Sequence, residues 1–303
     1  MSAKVAVASR SFSKHPVLRA ELVARYPDAR FNDEGSSLNG DALVAFLDGC
    51  EKAVLALETV DDALLARLPK LKVISKVGVG LDTIDVAAMS KRGVKLALTP
   101  GTNSRSVAEL TLMAMIALLR RLPETQNDMR AGRWSQLKGG TLTGRTVGLV
   151  GFGAVGRDLA SLLAPFGVTL LVHDPVVLEA KGVKLVPLDD LLRQADVVSL
   201  HLPLLPATKG LLSAAKLAFL KPSAVLINTA RGGLIDEPAL LAALDSGRLA
   251  GAALDVFAAE PPTDKRLLSH PKLLATPHVG GSTEEAILAM GRAAIAGLDA
   301  AES

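Results

Sequence analysis

An apolar run at 147–150 leads directly into Gly151-Phe152-Gly153-Ala154-Val155-Gly156, and 157–164 then reads as a helix. A buried strand, a turn with glycines spaced G-x-G-x-x-G, and a helix, in that order, is the context a dinucleotide-binding turn needs. Gly151 permits the tight turn, Gly153 lets backbone N–H groups approach a pyrophosphate, and Gly156 lets helix and strand pack closely. The helix points the positive end of its dipole at the phosphates. The alternative is a strand–helix turn with no ligand, since glycine is common in turns.

The next segment supports a nucleotide. A second strand-like run, 169–173, ends on Asp174, 18 residues past Gly156. An acid there bonds both ribose hydroxyls of NAD and repels a 2′-phosphate. Arginine at 175 or 176 would have argued for NADP, but Pro175 and Val176 stand there. The pattern favours NAD.

A chain of 303 residues predicts about two domains. At 49% hydrophobic and 3% aromatic residues the core is aliphatic and large enough to be stable. A net charge of +3, with no basic block interleaved with aromatics, gives no nucleic-acid footprint. The single cysteine, Cys50, excludes an internal disulfide and reads as a packed thiol. With no secretory pattern at the N-terminus, a cytoplasmic location is expected. The apolar run 110–119 is about half a membrane span and lies between Glu109 and Arg120, so it reads as a buried or interface helix. No Cys/His spacing suggests a metal site.

Strand-like and helix-like patterns alternate throughout, which predicts an α/β protein with parallel sheets. Strands are expected at 5–8, 53–57, 72–77 and 95–98, with helices at 16–25, 61–68 and 85–92. A long helix over 104–132 follows the break at Thr99-Pro100-Gly101. Beyond the glycine turn come strands at 183–186, 196–200, 223–227, 251–256 and 273–276, helices at 188–194 and 213–219, and a last helical segment at 284–301. A dinucleotide domain, 100–280, is thus expected inside another α/β domain, 1–99 with 281–303.

Three polar residues follow strand-like runs. Arg231 precedes Gly232-Gly233, Glu260 precedes Pro261-Pro262, and His278 precedes Val279-Gly280-Gly281. Ligands of open α/β sheets sit beyond the carboxyl ends of strands, so one ligand can meet all three. Hydride transfer to or from an alcohol carbon needs a base or acid for its proton. His278 can serve as either. Glu260 would hold the imidazole and stabilise its charged form. Arg231 would grip a 2-oxo acid and polarise its carbonyl. Taken singly each has a plainer reading: a structural histidine, a surface ion pair, a solvated loop charge. Gly78-Val79-Gly80 offers little-obstructed N–H groups as an anion nest, or else a plain turn.

These residues resemble the D-isomer-specific 2-hydroxyacid dehydrogenases over nearly the whole chain. The matching stretches run from Lys76 to Asp85 and from Asn103 to Leu110, then the glycine turn, Asn228 to Gly233, Leu254 to Phe257 with Glu260-Pro261, and Thr276-Pro277-His278. The resemblance implies Arg231, Glu260 and His278 as the catalytic trio. It implies cofactor contacts at Ala154, Val155, Asp174, Leu202, Pro203, Thr208, Thr229, Ala230, Asp255 and Gly280, besides the three glycines. Val79, Gly80 and Asn103 match positions near the substrate carboxylate. Two doubly wound parallel-sheet lobes are implied, a Rossmann NAD-binding domain inserted in a flavodoxin-like substrate domain built from both chain ends. A homodimer through the 104–132 region is implied as well, with Trp134 either near the partner's cleft or in the core.

The expected function is therefore an NAD-dependent D-2-hydroxyacid dehydrogenase. Residues 103–110 are similar to the phosphoglycerate dehydrogenase branch, which points to 3-phosphoglycerate. The 56–60 loop lacks the arginine that commonly meets the phosphate there, with Arg10 or Arg105 as replacements. Glyoxylate or hydroxypyruvate reduction is the alternative, and an NAD(H)-sensing corepressor-like protein is the non-enzymatic one.

Overall fold

Short apolar strands alternate with helices through residues 3–177 and 179–300, the part of the chain described by this computed structural model. The chain divides into two units, Met1–Asn103 with Gly281–Ser303, and Ser104–Gly280. The division falls at 103 and 104 rather than at 99 and 100, because the segment before the helix starting at Ser104 groups with the first unit. Residues 301–303 of the expected outer domain, with Ala301 of its last helix, lie outside the described residues.

The first unit runs β1 (Val5–Val7), α1 (Arg10–Lys14), α2 (Pro16–Val23), β2 (Arg30–Phe31), α3 (Gly40–Leu47), β3 (Lys52–Leu55), α4 (Asp62–Ala66), β4 (Val73–Lys76), α5 (Val86–Lys91) and β5 (Lys95–Ala97). Its helices start on sequence-encoded caps. Asp61 accepts from Leu64 N at 2.8 Å, and Asp85 from Ala88 N at 2.9 Å. Pro16 opens α2, where its missing N–H costs nothing. The strands pair in parallel in the order β2-β1-β3-β4-β5, the flavodoxin-like arrangement. One sheet face packs Leu43, Leu47, Leu65 and Met89; the other packs Phe12, Leu18, Met290 and Leu298.

The second unit carries α6 (Ser104–Leu119), α7 (Leu122–Arg130), β6 (Thr146–Val150), α8 (Ala154–Leu163), β7 (Thr169–His173), β8 (Lys184–Leu185), α9 (Leu188–Gln194), β9 (Val197–Leu200), α10 (Ala214–Leu217), β10 (Val225–Asn228), α11 (Glu237–Asp245), β11 (Gly251–Leu254), α12 (Lys265–Leu268) and β12 (Leu273–Ala275). Its parallel sheet has the order β12-β11-β10-β9-β6-β7-β8. The order reverses at β6, as in a Rossmann fold, and ligands bind beyond such a reversal. Residues of α6 and α8 cover one face, and those of α9 and α11 the other. Both faces being covered, the strands read as apolar runs rather than alternating ones.

The expected single helix over 104–132 is two helices. Arg121 sits between them in the left-handed region at φ 55°, and Pro123 lies in the first turn of α7. Proline in the interior of one continuous helix would clash with the preceding turn, so the chain breaks and restarts.

The helix α13 (Glu284–Ala300) returns the chain to the first unit. Ser75 Oγ donates to Ala294 O at 2.7 Å. The buried Lys52 Nζ donates to Leu298 O and to Tyr26 Oη, each at 2.9 Å, and lies 3.8 Å from Asp299 Oδ1. A cation at a helix C-terminus also complements the helix dipole. Lys52→Met strands these acceptors. We expect it to lower unfolding stability by about 2 kcal/mol, read as a lower urea midpoint; an unchanged midpoint contradicts this role for Lys52.

Candidate active site

Gly151, Gly153 and Gly156 each answer a different steric demand. Gly151 has φ 103°, and a Cβ there would lie 2.5 Å from His201 O. A Cβ on Gly156 would lie 2.5 Å from Gly151 O, so helix and turn meet only through glycine. Gly153 faces open space, and α8 begins behind it with no side-chain cap. The N–H groups at Ala154 and Val155 are thus left for a ligand's oxygens.

Asp174 ends this half of the site. Its Oδ2 accepts from Phe152 N at 2.7 Å, and its Oδ1 from Val176 N at 2.9 Å and Val177 N at 3.1 Å. Burial works to raise its pKa, but these three N–H groups outweigh it and hold the carboxyl below its usual range. A carboxylate accepts about four hydrogen bonds, so capacity remains for a ribose hydroxyl. The open side of Gly153, the uncapped helix and the ionised Asp174 fit a dinucleotide.

The polar trio belongs to one unit and one sheet edge. Arg231 follows β10, Glu260 follows β11, and His278 follows β12. His278 Nδ1 bonds Glu260 Oε2 at 2.8 Å. Glu260 Oε1 accepts from Phe257 N at 3.0 Å, which fixes the carboxylate on its own loop. Among the described residues His278 Nε2 has no bonding partner. Arg231 donates from Nη1 to Ala230 O at 2.7 Å. Asn228 braces the Arg231 turn, donating to Arg231 O at 2.7 Å and accepting from Ala230 N at 3.1 Å. A Cβ on Gly232 would lie 1.9 Å from Phe257 C, so the Arg231 turn lies hard against the loop that carries Glu260.

Sequence reasoning missed what holds His278. Its backbone is left-handed at φ 55°. Asp255, 2% exposed, enforces that turn. Its Oδ1 accepts from Thr276 Oγ1 at 2.6 Å and Val279 N at 2.8 Å, and its Oδ2 from Gly280 N at 2.8 Å. The N–H of Gly280 is therefore engaged by protein. The other expected cofactor contacts also lie at this edge of the sheet. Thr229 bonds Thr111 at 2.8 Å, while Thr208 donates to Pro203 O at 2.7 Å and so braces the loop that carries Leu202 and Pro203.

In the first unit, the N–H groups of Gly78, Val79 and Gly80 have no hydrogen-bond partner among the described residues, and Gly78 has φ 95°. That is the geometry of a nest. Asn103 lies in the same unit, with Nδ2 3.2 Å from where a Cβ on Gly281 would stand. Arg105, considered above for a substrate phosphate, pairs with Asp158 at 2.7 Å and keeps about half of its side chain exposed. Arg10 is exposed at the start of α1.

His201 also escaped the sequence reading, being one polar residue at the end of an apolar strand. Burial holds its imidazole neutral, with a pKa down at about 4 against an ordinary 6.5. The folded state therefore binds fewer protons than the unfolded one between those values. Stability is full above about 6.5 and falls as pH drops toward 4, by about 3 kcal/mol from this group. Urea midpoints measured across that window should fall more steeply for the parent chain than for His201→Asn; parallel curves contradict the assignment.

The model of the family described as "D-isomer specific 2-hydroxyacid dehydrogenase, NAD binding domain" matches residues 112–280. The D-3-phosphoglycerate dehydrogenase of Sus scrofa is 38% identical over 260 residues, covering 84% of this chain and 49% of that protein. The chain spans about half the length of the curated relatives it matches. A crystal structure from Polaromonas sp. JS6 66, described as D-isomer specific 2-hydroxyacid dehydrogenase, NAD-binding, superposes with a TM-score of 0.91 at 34% identity, covering 99% of this chain and 96% of that one. A glyoxylate reductase from Paecilomyes thermophila superposes with a TM-score of 0.88 at 28% identity, covering 97% and 94%. The glycine turn, Asp174 and the edge bearing Arg231 and His278 all lie inside the matched stretch, and the chain belongs to the D-isomer specific 2-hydroxyacid dehydrogenase family.

Proposed function

We propose that the chain is an NAD-dependent oxidoreductase that interconverts a D-2-hydroxy acid and its 2-oxo acid. The observation that carries this reading is the 2.8 Å bond between His278 Nδ1 and Glu260 Oε2 at the carboxyl edge of the NAD-binding sheet. With Nδ1–H donating its hydrogen bond to the carboxylate, Nε2 is left to take a proton from a hydroxyl or return one to a carbonyl. Glu260 keeps the ring in that tautomer and stabilises the imidazolium form. Arg231 grips the acid and polarises its carbonyl. NAD, when bound, supplies or accepts the hydride. In the other unit, the bare N–H groups at 78–80 fit a carboxylate on their own, with Asn103 as a neighbouring amide donor.

For the acid itself, relatives named D-3-phosphoglycerate dehydrogenase favour 3-phosphoglycerate. Glyoxylate or hydroxypyruvate reduction is the second reading. It is favoured by the loop after β3, which exposes Leu57 and carries no arginine, and by the pairing of Arg105 with Asp158. A homodimer through the α6–α7 region accounts for the exposure of Met113, Ile116, Leu122 and Met129, and for that of Trp134, 80% exposed. No helix among the described residues is long and apolar enough to cross a membrane.

A panel of 2-oxo acids, with and without phosphate, followed by NADH consumption tests the reading. One of them should be reduced, and His278→Ala should lower kcat by roughly 10²- to 10⁴-fold. Loss of less than threefold would remove His278 from proton transfer. No turnover with any acid would favour a nucleotide-sensing protein.

A further inference from the structure

The α6-facing side of the seven-stranded sheet is aliphatic until its carboxyl edge. Ser199 of β9 pairs with Leu149 on one side and Ile227 on the other. Those two residues pack with Met115 of α6 and with Leu159 and Leu163 of α8. Ser199 therefore sits inside an apolar layer, 0% exposed, and its Oγ has no hydrogen-bond partner among the described residues. His201 follows two positions later on the same face, since side chains alternate along a strand. Its N–H continues the ladder to Val150 O at 2.7 Å. Its carbonyl lies against Gly151, where a Cβ would come within 2.5 Å of it. His201 Nε2 is sealed from solvent and is likewise unpartnered.

The neighbouring polar side chains differ. Thr111 Oγ1 donates to Val107 O at 2.7 Å and is left to accept from Thr229 Oγ1 at 2.8 Å, so both hydroxyls are satisfied. Ser199 and His201 have no such arrangement. A buried polar atom left unbonded is costly, and folded proteins meet the need with ordered internal water. Residues i and i+2 of a strand project from the same face with Cα atoms about 7 Å apart, and one water joins two polar atoms that converge to within about 5.6 Å, two hydrogen-bond lengths.

We propose that Ser199 Oγ and His201 Nε2 hold one internal water beneath the dinucleotide turn, and that through it His201 positions that turn. The mechanical link is the His201–Leu202 peptide. A Cβ on Gly151 would lie 2.5 Å from His201 O and 3.0 Å from Leu202 N, so this peptide is the wall against which the glycine turn bends. A shift of His201 carries the wall with it, and with the wall the N–H groups behind Gly153. The neutral imidazole suits this role, because one ring nitrogen then accepts while the other donates.

The inference rests on the dinucleotide reading, and the test separates the two. NADH Kd is measured by fluorescence on the full chain for Ser199→Ala, His201→Leu, their double variant and His201→Asn, whose amide can still bind water. Each of the first two should raise Kd about fivefold, and the double variant no further, because one shared water is lost only once. His201→Asn should stay within about twofold of the parent. Additive losses, or a lower Tm with Kd unchanged, would overturn the shared water and the positioning role. A parent chain that binds no NADH would refute the dinucleotide reading, and this proposal with it.

Discussion

Asp255 lies buried at the end of β11, and its side chain accepts from Thr276, Val279 and Gly280 while its backbone carbonyl accepts from His278 N at 2.8 Å. Four hydrogen bonds from one residue thus fold 276–280 into a single turn. That turn forces His278 into the left-handed region, which non-glycine residues enter only when their surroundings demand it. The ring is thereby brought to Glu260, whose other oxygen is tied to Phe257 N. Without the clamp His278 would be a loop histidine of no fixed direction.

The rest of the second unit supports that edge. Asn228 braces the Arg231 turn, and Gly232 lets it sit against Phe257 where any side chain would collide. On the other side of β9, Gly151 bends against the His201–Leu202 peptide and Gly156 against Gly151. The three glycine contacts are backbone to backbone, with no side chain between to give way. A misplacement of about 1 Å at a reacting group can cost roughly 100-fold in rate, so an edge built this way suits proton and hydride transfer. The first unit, with its separate flavodoxin-like strand order, offers a nest of unbonded N–H groups at 78–80.

Much of this was legible in the sequence because it depends on local signals. The glycine spacing marked a turn that sterics require, and Asp174 followed at the distance a second strand imposes. Helix 188–194 was read to the residue, since its acidic start and apolar spacing are both local. What escaped depends on partners distant in the chain. Asp255 was read as a cofactor contact, and only folding reveals that its oxygens serve 276–280. The pairing of Arg105 with Asp158, on another helix, had no signal in the sequence. The break at Arg121 was signalled by Pro123, but the apolar pattern on either side hid it. Ser199 and His201 looked like strand residues, and their lack of partners appears only once α6 covers the sheet.

The Asp255 clamp aims His278 for proton transfer. The most direct measurement is kcat for Asp255→Asn at saturating NADH and 2-oxo acid, with Tm recorded on the same protein. We expect kcat to fall by about 100-fold in a folded, cooperatively melting chain. A variant with parental kcat would contradict it, because the proton donor would then need no fixed turn.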